Sequence, residues 1–78
     1  MSSADAIQAI FRTLFRSPQL RIHAAMQTGD LPQWDSFKNV EILLACEAQF
    51  KIRFHSKEID AIRTVGDLIA ICNKKSSV

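Results

Sequence analysis

The chain has 78 residues, 47% of them hydrophobic and 23% charged, and its formal net charge is +2. This length allows one domain with a small core, and the composition excludes a disordered chain. No apolar run approaches the ~20 residues that cross a bilayer, and so small a positive charge does not by itself imply nucleic acid.

The elements follow in chain order. Met1-Ser2-Ser3-Ala4-Asp5 has no basic region followed by an apolar block, so no secretory signal is expected and the chain reads as cytoplasmic. Ile7, Ile10, Phe11, Leu14 and Phe15 then recur at helical spacing, with Asp5 in the first turn and Ser3 placed to cap. Ser17-Pro18 is expected to stop this helix, because the residue before a proline avoids helical geometry. A long connection follows to Trp34. Leu20, Ile22, Met26 and Leu31 are expected to pin it to the core, with turns at Gly29-Asp30 and Leu31-Pro32.

A second helix is expected from Ser36 to about Lys51. Its stripe is Phe37, Val40, Leu43, Leu44 and Phe50, widened by Ile42 and Cys46. Lys51 to His55 alternates polar and apolar but has no second strand to pair with, so it reads as a loop turning Ile52 and Phe54 inward. A short helix from Ser56 as cap to Ile62 would face Ile59 and Ile62 to the core. Thr64-Val65-Gly66-Asp67 is an acidic form of the capping box and opens the last helix. That helix buries Val65, Leu68, Ile69 and Cys72 and ends at Asn73-Lys74-Lys75, before a frayed Ser76-Ser77-Val78. The expected fold is all-α: a small bundle of three main helices and one short one, in a single domain over residues 1–78, with a long first loop. Cys46 and Cys72 fall in apolar-periodic stretches and read as core thiols. The ligand spacing of a metal site is absent.

One stretch points beyond the fold. Trp34-Asp35-Ser36-Phe37 places a serine at a helix start, behind an acidic residue and ahead of a large hydrophobe. The bland reading is a helix cap shared by Asp35 and Ser36, since both residue types favour that position. The sharper reading is an attachment point for a phosphate-linked group, which the unpaired N–H groups and partial positive charge of a helix start would favour. No Ser-His-Asp arrangement accompanies Ser36, so a serine nucleophile of the chain's own is not expected.

From about Leu31 to Ile71 the chain resembles the acyl carrier protein family. The family signature Asp-Ser-Leu reads Asp35-Ser36-Phe37 here. Val40-Glu41, Ala45, Glu47 and Phe50 follow in the family register, and Thr64-Val65 opens the last helix as it does there. Leu31 to Ser36 is similar to freestanding bacterial carriers with Trp before Asp-Ser. The resemblance implies a non-catalytic carrier with 4′-phosphopantetheine, drawn from coenzyme A, attached to Ser36, and Asp35 as cap or as helper of the phosphopantetheinyl transferase. It further implies that Phe37, Val40, Glu41, Leu44 and Glu47 form the docking face for acyl-loading and acyl-using enzymes. Phe54, Ile59 and Ile62 would line an acyl pocket. A monomer without membrane or metal is expected. Trp34 would either pack over the loop or flank the arm.

The chain also departs from the family, whose members are usually strongly acidic. Lys38 stands two residues past the serine at a commonly acidic position. Ala48, Gln49 and Lys51 replace other such positions, and Arg53, His55 and Lys57 follow. The expectation is therefore a specialised carrier whose partners are chosen through charge differently from those of the housekeeping fatty-acid carrier. Arg12, Arg16, Arg21 and His23 make a second basic cluster, read as solvated surface. An aminoacyl cargo stays open, although Gln33-Trp34 lacks the Gly-rich approach usual in peptidyl carriers. The alternative from another class is an unmodified basic helical module that binds protein or nucleic acid. Against it, the helix after Ser36 is apolar and acidic, which suits a phosphate-reading helix poorly.

Overall fold

A computed structural model describes residues 3–76. The chain forms α1 (Ser3–Leu14), α2 (Ser36–Phe50), α3 (Ser56–Ala61) and α4 (Val65–Ser76), in the expected pattern of three main helices and one short one. α1 packs on α2 and α4, and α2 packs on α4. The core they enclose holds Ile7, Phe11, Met26, Trp34, Ile42, Leu43, Cys46, Phe54, Val65, Leu68 and Cys72. Among the described residues no helix is long and apolar enough to cross a membrane.

α1 buries Ala6, Ile7 and Phe11 on one face. Ser3, expected as its cap, is already helical, so the cap position falls outside the described residues. The helix stops before the Ser17-Pro18 step expected to end it. Arg16 turns left-handed at φ 52°, the Ser17 N–H donates to the Arg12 carbonyl at 3.0 Å, and the Arg16 N–H donates to Thr13 at 3.3 Å. That pair of bonds closes the last carbonyls from within, and Pro18 only bars resumption.

The long connection is fixed as expected, with Met26 buried and Leu20, Ile22 and Leu31 packed against the core. Polar bonds from α1 hold it too: Arg12 Nε donates to the Leu20 carbonyl at 2.7 Å, and Gln8 Oε1 accepts from the Ile22 N–H at 3.1 Å. Its middle joins the start of α4. The Val65 N–H donates to the Met26 carbonyl at 2.8 Å and the Gly66 N–H to that of Ala24 at 3.0 Å. A Cβ on Gly66 would stand 3.1 Å from the Ala24 Cβ and 3.2 Å from its carbonyl oxygen, so a side chain here fits only if Ala24 gives way by a few tenths of an ångström.

α2 turns only part of its apolar stripe inward and leaves out the residues that the resemblance puts on a docking face. Ile42, Leu43 and Cys46 are buried and Phe50 is half-buried, while Phe37, Val40 and Leu44 are exposed. Apolar residues occupy two faces of this helix, and spacing alone does not rank them. The Lys51–His55 loop turns Phe54 into the core and half-buries Ile52, as expected. α3 begins after His55 rather than at a Ser56 cap, and Glu58 accepts from the His55 N–H at 2.8 Å. Ile59, expected to face inward, is 39% exposed. α3 has only six residues and buries none of them, and the Glu58–Lys75 ion pair at 2.9 Å ties it to α4.

The acidic capping box of α4 forms as read. The Thr64 N–H donates to Asp67 Oδ2 at 3.2 Å, and the Asp67 N–H donates to Thr64 Oγ1 at 3.1 Å. Ser77 and Val78 of the expected frayed tail lie outside the described residues. Ser76 is helical and its hydroxyl donates to the Cys72 carbonyl at 2.6 Å. Cys46 and Cys72 are both fully buried where α2 meets α4. A hydrogen bond with Cys72, and then burial, push the Cys46 thiol far above its ordinary range, so it stays protonated.

The carboxylates at the two helix starts set an acid limit. Asp67 is held below the usual carboxylate range by the Arg63 and then the Thr64 N–H. Glu58 is held low by the His55 N–H and then by Lys75. Both groups are depressed in the folded state, so their stabilisation is complete above the unfolded carboxylate range and is lost as pH falls through the folded values. Urea unfolding followed by circular dichroism should show stability falling below about pH 5. Asp67→Asn should flatten that fall.

Candidate functional site

The site is built outward from Trp34. Its indole is buried, meeting Phe11 edge-on at 5.1 Å between ring centroids and Phe15 at 6.3 Å. The indole N–H donates to Asn39 Oδ1 at 3.2 Å. Trp34 and Asn39 flank the start of α2 at the two positions where a hydrophobic staple usually sits, and a hydrogen bond replaces half of it here. Trp34, expected either to pack over the loop or to flank the arm, is buried in the core against α1.

With Trp34 turned inward, the next two residues turn out. Asp35 is the cap residue, with extended backbone at φ −106° and ψ −171°. Its Oδ1 accepts the Lys38 N–H at 2.9 Å, and its carbonyl accepts the Asn39 N–H at 2.9 Å. Ser36 is the first helical residue and is exposed. Capping therefore belongs to Asp35 alone, and the bland reading of Ser36 as a shared cap does not describe this helix. The first two helical amides, of Ser36 and Phe37, have no such acceptor among the described residues and point toward the same end as the serine hydroxyl.

An exposed hydroxyl beside open amides at the positive end of a 15-residue helix suits a phosphodiester. Asp35 adds one negative charge next to it, but the Lys38 amide holds that carboxylate. The remaining predicted residues divide by surroundings. Phe37 is 74% exposed, Val40 54% and Leu44 58%, one open stripe on α2 beginning beside Ser36. Glu41 pairs with Lys38 at 3.3 Å. Glu47 is half-buried, and its Oε2 accepts the Phe54 N–H at 2.8 Å, so it braces the loop after α2. Phe54 is part of the core. Ile62 lines a shallow groove of about 270 Å³ with Ala61, Ala70 and Ile71, between α3 and α4. Ile59 lies open on α3.

Lys38, expected from its place two residues past the serine to alter the charge that partners meet, is mostly turned inward. Its ammonium donates to the Leu14 carbonyl at 3.3 Å and lies 5.8 Å from the Phe15 ring centroid, besides pairing with Glu41. It complements the carbonyl end of α1 and ties that end to α2. Sequence reasoning missed this role and the Asn39 contact. The Lys38-Glu41 spacing was the one legible signal, since residues three apart on a helix are neighbours.

The division between Asp35 and Ser36 has a measurable consequence. Asp35→Ala should cost about 1 kcal/mol of stability, the usual loss of a helix cap. Ser36→Ala should stay within about 0.5 kcal/mol of the parent, as an exposed substitution outside any cap does. Urea titrations of the two variants check both, and equal losses would restore the shared-cap reading.

Neither a family model nor a curated protein matches the chain. Among solved structures it is similar to a holo acyl carrier protein from Geobacter metallireducens, determined in solution by NMR. The identity is 29% over 96% of this chain and 86% of that one, with a TM-score of 0.87. The chain thus has an acyl carrier protein fold, and that likeness supports a carrier role.

Proposed function

We propose that this protein is an acyl carrier and that Ser36 is its attachment point, with all 78 residues acting as one carrier domain. The observation that carries the reading is the exposed Ser36 hydroxyl, left out of the helix cap, at the start of α2 in a fold similar to that of a holo acyl carrier protein. When bound, 4′-phosphopantetheine supplies a thiol on a mobile arm that holds an acyl group as a thioester.

The chain itself does no chemistry. A transferase brings coenzyme A to Ser36. The Ser36 oxygen forms the new P–O bond, the nucleotide half of coenzyme A leaves, and the serine proton passes to a base on the transferase. Ser36 thus needs no activating neighbour, which agrees with the absence of a hydrogen-bonded base beside it among the described residues. The Ser36 and Phe37 amides would be the groups to hold the phosphate, and Asp35 keeps the helix start formed while its own carboxylate is occupied by the Lys38 amide. Phe37, Val40 and Leu44 present an apolar face to the enzymes that load and use the cargo. Glu41 and Glu47 are engaged within the chain, so this face is less acidic than its sequence suggests. That charge balance suits dedicated partners in a specialised pathway.

Incubation with coenzyme A and a broad-specificity phosphopantetheinyl transferase, followed by intact-protein mass spectrometry, tests the reading. The parent should gain one phosphopantetheine and Ser36→Ala none. No gain with several transferases would remove the carrier reading.

A further inference from the structure

The exposed stripe on α2 does not stop at Leu44. It runs into a shallow hollow of about 530 Å³ lined by Leu44, Glu47, Ala48, Lys51, Ile52 and Arg53. Phe37, Val40, Leu44, Ala48 and Lys51 follow one another at three- and four-residue steps, so they share a face running roughly 20 Å along the helix. The ion pairs among the described residues are Lys38–Glu41 and Lys75–Glu58, so neither exposed cation of the hollow, Lys51 or Arg53, has a carboxylate partner. The one acid in the lining, Glu47, is held by the Phe54 N–H at 2.8 Å.

The hollow is also firmly built. Lys51 is left-handed at φ 56°, a conformation that normally falls to glycine at this point of a helix. The Lys51 and Ile52 N–H groups both donate to the Glu47 carbonyl, the latter at 3.0 Å. The chain reverses there and Glu47 fastens the returning strand of loop at Phe54, which sets Lys51 and Arg53 beside Leu44. An apolar face therefore ends in two cations that have a braced backbone and no carboxylate partner among the described residues.

We infer that this face docks a partner protein segment of complementary make-up: an apolar stripe laid on Phe37, Val40 and Leu44, with carboxylates at the end that meets Lys51 and Arg53. The carrier reading enters only in naming the partner as an enzyme that uses the cargo. Charge complementarity decides the occupant. Unpaired cations at the rim of an apolar patch favour an acidic partner and repel a basic one, with an attraction that salt weakens.

The test uses the unmodified protein, so failure of Ser36 modification leaves it intact. Two synthetic amphipathic helical peptides share one Leu/Phe face, and one carries Glu and the other Lys on its flanks. Each is titrated into isotope-labelled protein and followed by NMR. The Glu peptide should shift the amides of Leu44, Ala48, Lys51 and Arg53 and bind at least about tenfold more tightly than the Lys peptide. Lys51→Glu with Arg53→Glu should reverse that preference, and Leu44→Ala should weaken the Glu peptide without reversing it. The inference is overturned by equal affinity, by preference for the Lys peptide, by no binding of either, or by shifts confined elsewhere. Binding of phosphatidylglycerol vesicles through these residues in preference to the Glu peptide would overturn it in favour of a lipid surface. Concentration-dependent shifts of the same amides without peptide would assign the face to a second copy of the chain.

Discussion

Burial of the Trp34 indole fixes where α2 begins. The ring is held between Phe11 and Phe15 at the end of α1, and its N–H is tied to Asn39 in the first turns of α2. A residue that large cannot leave the core without opening a cavity worth about 3–5 kcal/mol. The residue next to it must therefore leave the core, and Asp35 is the one that meets the open amide of Lys38. Ser36 follows as the first helical residue, with its hydroxyl outside the capping scheme. The availability of Ser36 is thus a consequence of packing two residues earlier in the chain.

The charges around the site are distributed by the same logic. Asp35, Lys38, Glu41 and Glu47 all stand on or beside α2, and each is engaged inside the chain: a helix amide, the carbonyl end of α1, a neighbouring side chain, a loop amide. The far end of α2 differs, because Lys51 and Arg53 have no carboxylate partner among the described residues. Counting charges along the sequence gives a helix with two acids and a basic rim beginning at Lys38. Counting the ones that face outward gives an apolar stripe whose basic end lies beyond Phe50. An incoming protein meets the second pattern.

Much of the fold was legible because its signals were local. The Thr64-Asp67 capping box, the inward turn of Phe54 and the pinning of Met26 follow from composition and spacing within a few residues. The end of α1 was misplaced because a left-handed Arg16 carries no sequence mark, while the Pro18 beyond it does. The inward face of α2 was only half legible. Val40 and Leu44 keep helical spacing as well as Leu43 and Cys46 do, and the choice between the faces is made by α1 and α4. Ile59 was read as inward from periodicity, yet α3 is too short to bury a face. For the site, the register Asp35-Ser36-Phe37 marked the serine, but which residue capped the helix depended on Trp34 being in the core. The inward course of Lys38 ends on the Leu14 carbonyl, 24 residues away, which no local pattern discloses.

α2 starts so as to leave Ser36 exposed and outside its cap, and modification there is what we propose. Peptide mapping by tandem mass spectrometry of the protein after reaction with coenzyme A and a transferase tests it most directly. A single phosphopantetheine, located on Ser36, is the expected result. A group located on Ser17, Ser56 or another hydroxyl would contradict it.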